Sequence, residues 1–150
     1  MQLNLQTDYA LRLLIFLASC EPSSRLASTG DIAEVYDISA NHLGKVTAKL
    51  SDLGYIETVR GRSGGIRLAK PPSEIGIGQV IRQTEPQFEL TECMGESSDC
   101  TLEPVCQLRG VLLEARRDFL ARLEDFTLAD VTENQHALQR VLGCPGAQMV

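Results

Sequence analysis

Three cysteines, Cys93, Cys100 and Cys106, fall within the stretch TECMGESSDCTLEPVCQLRG, residues 91–110. Their neighbours Glu92, Glu96, Asp99 and Glu103 are hydrophilic, a poor setting for thiols packed as small apolar side chains. Such a triplet can bind a metal, sense redox state or form part of a disulfide frame. Gaps of six and then five residues are wider than the paired two-residue loops of zinc sites. Wider, irregular loops of thiolates suit an iron–sulfur cluster. A redox disulfide between two of the three, or a zinc- or thiol-based redox regulator, stays an open alternative.

A metal site built this way is one ligand short. Cys20 ends an apolar helical run and is expected to pack in the core, while Cys144 lies in a C-terminal tail, GCPGAQMV, that could reach the loop. Neither histidine follows the loop closely. Asp8 is the remaining candidate, although by composition alone it reads better as a carboxylate complementing a helix dipole. Five cysteines is an odd count for a secreted disulfide frame, and MQLNLQTDYALR has no basic n-region or cleavage site. The expected location is therefore the cytoplasm, where thiols stay reduced. The longest apolar run, LLIFLA, is too short to span a bilayer.

The elements that must position these residues are mostly helical. Residues 7–20 carry Ala10, Leu11, Leu13, Leu14, Ile15, Leu17 and Ala18, a pattern dense enough for a helix buried on most sides. Ser28 and Thr29 are candidate N-caps for a short helix lined by Ile32, Ala33 and Tyr36. Ser39 is placed to cap a second, in which Leu43, Val46, Leu50 and Leu53 form one apolar stripe and Gly54 supplies the stop. Asn41, His42, Lys45 and Lys49 fall largely off that stripe. This is a helix-turn-helix pattern with a polar, basic outer face. The β-type segments 55–59 and 66–68 flank GRSGG, a hairpin turn, so a wing follows the second helix. A Pro break precedes a short helix with Ile77, Val80 and Ile81.

Beyond the cysteines, Pro104 stands where a first helical turn tolerates it. Residues 105–123 then carry Leu108, Val111 or Leu112, Ala115, Phe119 and Leu123 at helical spacing. That helix projects past the winged domain, and a second copy of itself is the simplest cover for its stripe. Residues 126–142 read as one further helix that could pack back. The expected fold is mainly α with a small β-hairpin wing. It divides into a winged helix-turn-helix over 1–85, a cysteine loop over 86–106, dimerisation helices over 104–142 and a tail over 143–150.

Charge separates the two ends of the function. Residues 41–70 hold six basic residues against two acidic ones; that segment is +4 in a chain of −6, so the remainder is −10. A basic block on an acidic domain marks a localised anion-binding face and excludes a general coat for nucleic acid. Asn41 and His42 are placed to reach base edges in a major groove, Lys45 and Lys49 to neutralise phosphates, and Arg60, Arg62 and Arg67 to meet a minor groove or its flanking phosphates. No catalytic constellation accompanies them, so an enzyme is not expected.

TDYALR, VRGRSGGIRLAKP and a three-cysteine loop after IGQVIRQTE together resemble the Rrf-type winged-helix iron–sulfur regulators, over about residues 1–142. Within that family FELTECM, VCQLRGVLLEA and DFTLADV look most like the nitric-oxide-sensing repressors. The resemblance implies a homodimer that binds an inverted-repeat operator in double-stranded DNA. It also implies a 4Fe–4S cluster, or else 2Fe–2S, held by Cys93, Cys100, Cys106 and an Asp8 contributed by the partner subunit. Nitric oxide would displace the ligands and release DNA. The cluster-status branch instead uses a histidine soon after the third cysteine, where this chain has Leu108 and Arg109 and no histidine before His136. The first cysteine gap is one residue longer than is common in the nitric-oxide branch, which keeps the iron-responsive branch as the alternative. Loop closure costs little per added residue.

Overall fold

The computed structural model describes residues 3–20, 26–85, 88–95 and 99–144. Most of the expected connector and the tail after Cys144 lie outside these. Helix α1, Leu5–Ser19, runs through the centre of the core, with Ala10, Leu13 and Leu14 fully buried. Its start is fastened twice. The Asn4 side chain accepts from the Thr7 N–H at 2.8 Å, and Asn4 donates through its backbone N–H and Nδ2 to the Glu85 carboxylate. Helix α2, Thr29–Tyr36, opens on a reciprocal capping box between Ser28 and Asp31, as Ser28 leads one to expect.

Helix α3, Ala40–Asp52, buries Leu43, Val46 and Leu50 against α1 and α2. Ser39 occupies the N-cap position, but its hydroxyl makes no capping hydrogen bond, so that part of the expectation fails. Gly54 adopts a left-handed φ of +74° and turns the chain into the hairpin, a conformation that suits a residue without Cβ.

Strands β1, Ile56–Val59, and β2, Gly65–Leu68, pair antiparallel with Glu57 opposite Arg67. Ile66 also donates its N–H to the Ala27 carbonyl at 2.8 Å, so the wing is anchored by a one-residue bridge to the segment before α2. Gly65 permits this approach, because a Cβ there would lie 2.6 Å from the Ala27 oxygen. A short 3₁₀ turn, Pro72–Glu74, leads to α4, Ile77–Thr84, whose Ile77, Val80 and Ile81 close the core.

The cysteine loop follows, and then α5, Gln107–Glu124. Pro104 belongs to a separate 3₁₀ turn, Glu103–Val105, so the helix starts later than the spacing predicts. Leu120 is the one buried side chain on α5. Where α5 ends it meets α4 closely: a Cβ on Gly78 would lie 2.8 Å from the Glu124 nitrogen, and Arg82 pairs with Glu124 at 2.7 Å.

The helix expected over 126–142 is two. Helix α6, Leu128–Val131, ends where Thr132 turns its hydroxyl back onto the Leu128 carbonyl at 2.8 Å. Helix α7, Gln135–Leu142, follows. Both pack on α1, and Leu128 N–H donates to the Ile75 carbonyl at 2.7 Å. Cys20 is buried as expected, but it is joined by a disulfide to Cys144, which is itself buried at the end of α7. With its sulfur in that bond, Cys144 is not available as a donor to the cysteine loop.

Candidate DNA interface and cysteine loop

Burying one stripe of α3 leaves Asn41, His42, Lys45 and Lys49 exposed together on its other face, with exposed Ser39 at its start. Arg60 and Arg62 are exposed at the hairpin tip, where Gly61 takes a φ of +113°. Arg67 behaves differently. Its Nε and Nη2 donate to Glu57 Oε2 at 2.9 and 2.7 Å, across the strand pair. An exposed pair of this kind contributes only about 0.2–1 kcal/mol. It does offset the Arg67 charge, whereas among the described residues no ion pair offsets Arg60 or Arg62.

Asp8 sits in the first turn of α1 and forms an ion pair with Arg12 at 3.0 Å, both side chains partly exposed. The Arg12 carbonyl accepts from the Tyr36 hydroxyl at 3.0 Å, tying α2 to the same turn. Burial pushes the Tyr36 hydroxyl up to about 12, with the Arg12 guanidinium pulling the other way. A groove of about 240 Å³ runs between this end of α1 and α3, lined by Leu5, Gln6, Tyr9, His42, Lys45 and Val46. Gln6 and Tyr9, which flank Asp8 in the chain, line this groove together with His42 and Lys45.

The three loop cysteines are held from two sides. Cys93 lies in a 3₁₀ turn, Glu92–Met94, pinned by buried Met94; its Sγ is 3.2 Å from the Thr91 hydroxyl. Cys106 is the N-cap residue of α5. Cys100 is exposed between them. Arg109 closes the loop: its Nε donates to the Cys93 carbonyl at 2.7 Å, and its other end lies 3.7 Å from Glu103. Arg109 carries no sequence signal beyond its place three residues after Cys106, yet it joins the first turn of α5 to the far end of the loop.

None of the three loop cysteines is in a disulfide. Among the described residues no three carboxylate, thiol or imidazole side chains converge on a common point. Three thiols on one tethered loop are the soft donors that an iron–sulfur cluster takes, and the donor chemistry fits. The chain brings Asp8 to Arg12, not to its own cysteines.

Residues 3–134 match the Rrf2 family, described as an iron-dependent transcriptional regulator. The chain belongs to the Rrf2 family. Among curated Rrf2-like relatives, it is 52% identical to the HTH-type transcriptional regulator NsrR of Halalkalibacterium halodurans, over 95% of this chain and 97% of that one. The NsrR of Bacillus subtilis is 47% identical over the same shares. Oxidised CymR of Staphylococcus aureus superposes with a TM-score of 0.69 at 28% identity, covering 89% of this chain and 97% of that one. T. potens IscR superposes with a TM-score of 0.69 at 23% identity, over 100% of this chain and 93% of that one, a likeness of fold. This Rrf2 member is a DNA-binding transcriptional regulator with a winged helix-turn-helix, as the sequence resemblance implies.

Proposed function

We propose that the chain is a homodimeric transcriptional repressor that senses nitric oxide through an iron–sulfur cluster held by Cys93, Cys100, Cys106 and Asp8 of the partner subunit. The observation that carries this reading is the tethered three-thiol loop capping an exposed helix, in a chain about half identical to regulators named NsrR. A cluster bound there, 4Fe–4S or 2Fe–2S, would supply iron that reacts with nitric oxide. The protein's own groups do the rest. Arg109 holds the Cys93 backbone against α5, and Cys106 stands at the N-terminus of that helix. Asp8 is the hard oxygen donor among soft sulfurs, hence the ligand easiest to release. Exchange between Arg12 and the partner's loop gives Asp8 two alternative attachments, on the end of α1 whose Gln6 and Tyr9 line a groove with His42 and Lys45.

On DNA, α3 would enter the major groove with Asn41 and His42 at the bases and Lys45 and Lys49 at phosphates, while Arg60 and Arg62 hold the flanking backbone. Two such units match an inverted repeat. No enzymatic role is assigned. An iron-responsive repressor is the second reading, favoured by the family's description as iron-dependent and by the longer first cysteine gap.

Anaerobically purified protein distinguishes these. Brown colour with broad visible absorption is expected, whereas a colourless protein with stoichiometric zinc would point to a zinc or thiol regulator. Nitric oxide should release operator DNA at amounts stoichiometric with cluster, and an iron chelator should not. The Asp8→Ala variant is expected to lose cluster stability and weaken operator binding; if both stay unchanged, the coupling is wrong. Arg62→Ala should weaken binding on all sequences and make the dependence of log K on log salt shallower by about one unit. A loss confined to particular base pairs would contradict its phosphate role.

A further inference from the structure

Cys20 and Cys144 are separated by 124 residues yet joined, with Cα atoms 5.2 Å apart. That spacing falls within the ordinary disulfide range of roughly 4.4–6.8 Å. Each cysteine is positioned by its own backbone. The Cys20 N–H donates to the Phe16 carbonyl at 2.8 Å, closing α1, and the Cys144 N–H donates to the Gln139 carbonyl at 3.0 Å, after Gly143 turns left-handed at the end of α7. Gln139 Nε2 donates in turn to the Ser19 carbonyl at 3.0 Å, so the two helix ends are already fastened beside the sulfurs. Both cysteines are less than a tenth exposed. Only Cys20 lines a cavity of about 270 Å³ beneath the wing, whose wall includes Leu17, Ala27 and Ile66 and whose cations are Arg67 and Lys70. The Arg67 charge is shared with Glu57, and Lys70 Nζ lies 5.3 Å from the centre of the Tyr55 ring, so Lys70 supplies the net positive charge there.

We infer that Cys20 and Cys144 form a thiol–disulfide exchange site, separate from the three-cysteine loop, that is oxidised by a small anionic disulfide entering through this cavity. The Cys20 thiolate attacks one sulfur of the small disulfide, expelling one thiolate and leaving a mixed disulfide on Cys20. The Cys144 thiolate then attacks Cys20 Sγ, expelling the second thiolate and forming the internal bond. Two protein thiols lose two electrons, the reagent becomes two thiols, and the protein's two protons pass to them. Two small thiols reverse the sequence. The closed bond fixes α7 to α1, the helix that carries Asp8 at its other end.

The test uses the full chain as isolated anaerobically, reduced with a small thiol, desalted and exposed to glutathione disulfide. Intact mass should fall by two hydrogens, and peptide mapping after denaturing alkylation should show Cys20 linked to Cys144, with Cys93, Cys100 and Cys106 alkylated. Cys144→Ser should stall as a glutathione adduct on Cys20. Lys70→Gln should slow oxidation by glutathione disulfide by up to about fivefold, the effect of one unit charge at contact distance in water, and leave the rate with neutral hydroxyethyl disulfide unchanged. Wild-type protein in which Cys20 and Cys144 are both alkylated overturns the site, and this reading needs no variant to fold. An adduct settling on the loop cysteines in Cys144→Ser also overturns it. Equal effects of Lys70→Gln on both reagents overturn the route of entry.

Discussion

The winged half of the molecule and helix α5 are built by opposite rules. In α1, α3 and the hairpin, Leu13, Leu14, Leu43, Leu50 and Ile56 are almost wholly removed from water. Over the eighteen residues of α5 only Leu120 is, while Leu108, Val111 and Phe119 stay exposed. Phe119 stacks on Phe88 at 5.4 Å between ring centres, the loop's contribution to covering it. The first region satisfies its apolar surface within one chain. The second displays a stripe at helical spacing that the described chain covers only in part, at Phe119 and Leu123. One half is a finished object and the other leaves apolar surface open, the arrangement that the proposed homodimer needs.

Three substitutions would break or sharpen that contrast. Leu50→Ala, in the finished half, should cost about 2–5 kcal/mol by denaturant unfolding, because a fully buried leucine leaves a cavity behind. Gly78→Ala, at the contact between halves, should cost about 1–3 kcal/mol, since the new methyl meets the α5 backbone and α5 must shift. Val111→Glu, in the unfinished half, should change the unfolding free energy of the isolated chain by less than about 0.5 kcal/mol. In analytical ultracentrifugation the same variant should sediment as a monomer. If it unfolds the chain as Leu50→Ala does, the two regions are not built differently after all.

What could be read from the sequence tracks how local its cause is. Leu43, Val46 and Leu50 announce α3 by their own spacing, and GRSGG announces the turn, because both signals act within a few residues. Thr132 gave no such notice. Its hydroxyl competes for the Leu128 carbonyl only once α6 is fixed by Ile75, and so one expected helix became two. The Cys20–Cys144 pair depends on α7 returning to α1 across 124 residues, which no periodicity encodes. Arg67 is intermediate: its partner Glu57 follows from the hairpin register, but only after the register is known. At the cysteine loop the donor types were legible and the tether by Arg109 was not, since it depends on how the first turn of α5 faces the backbone of Cys93.

The close crossing of Gly78 and Glu124 has a mechanical consequence. It holds α5 at its C-terminal end, while Cys106 caps the opposite end. From that fulcrum the helix reaches roughly 25 Å, so a tilt of about 5° carries its far end through about 2 Å. Small repacking at the pivot is thus magnified at the thiols, and a modest displacement of the thiols returns to α4 as a torque about Gly78.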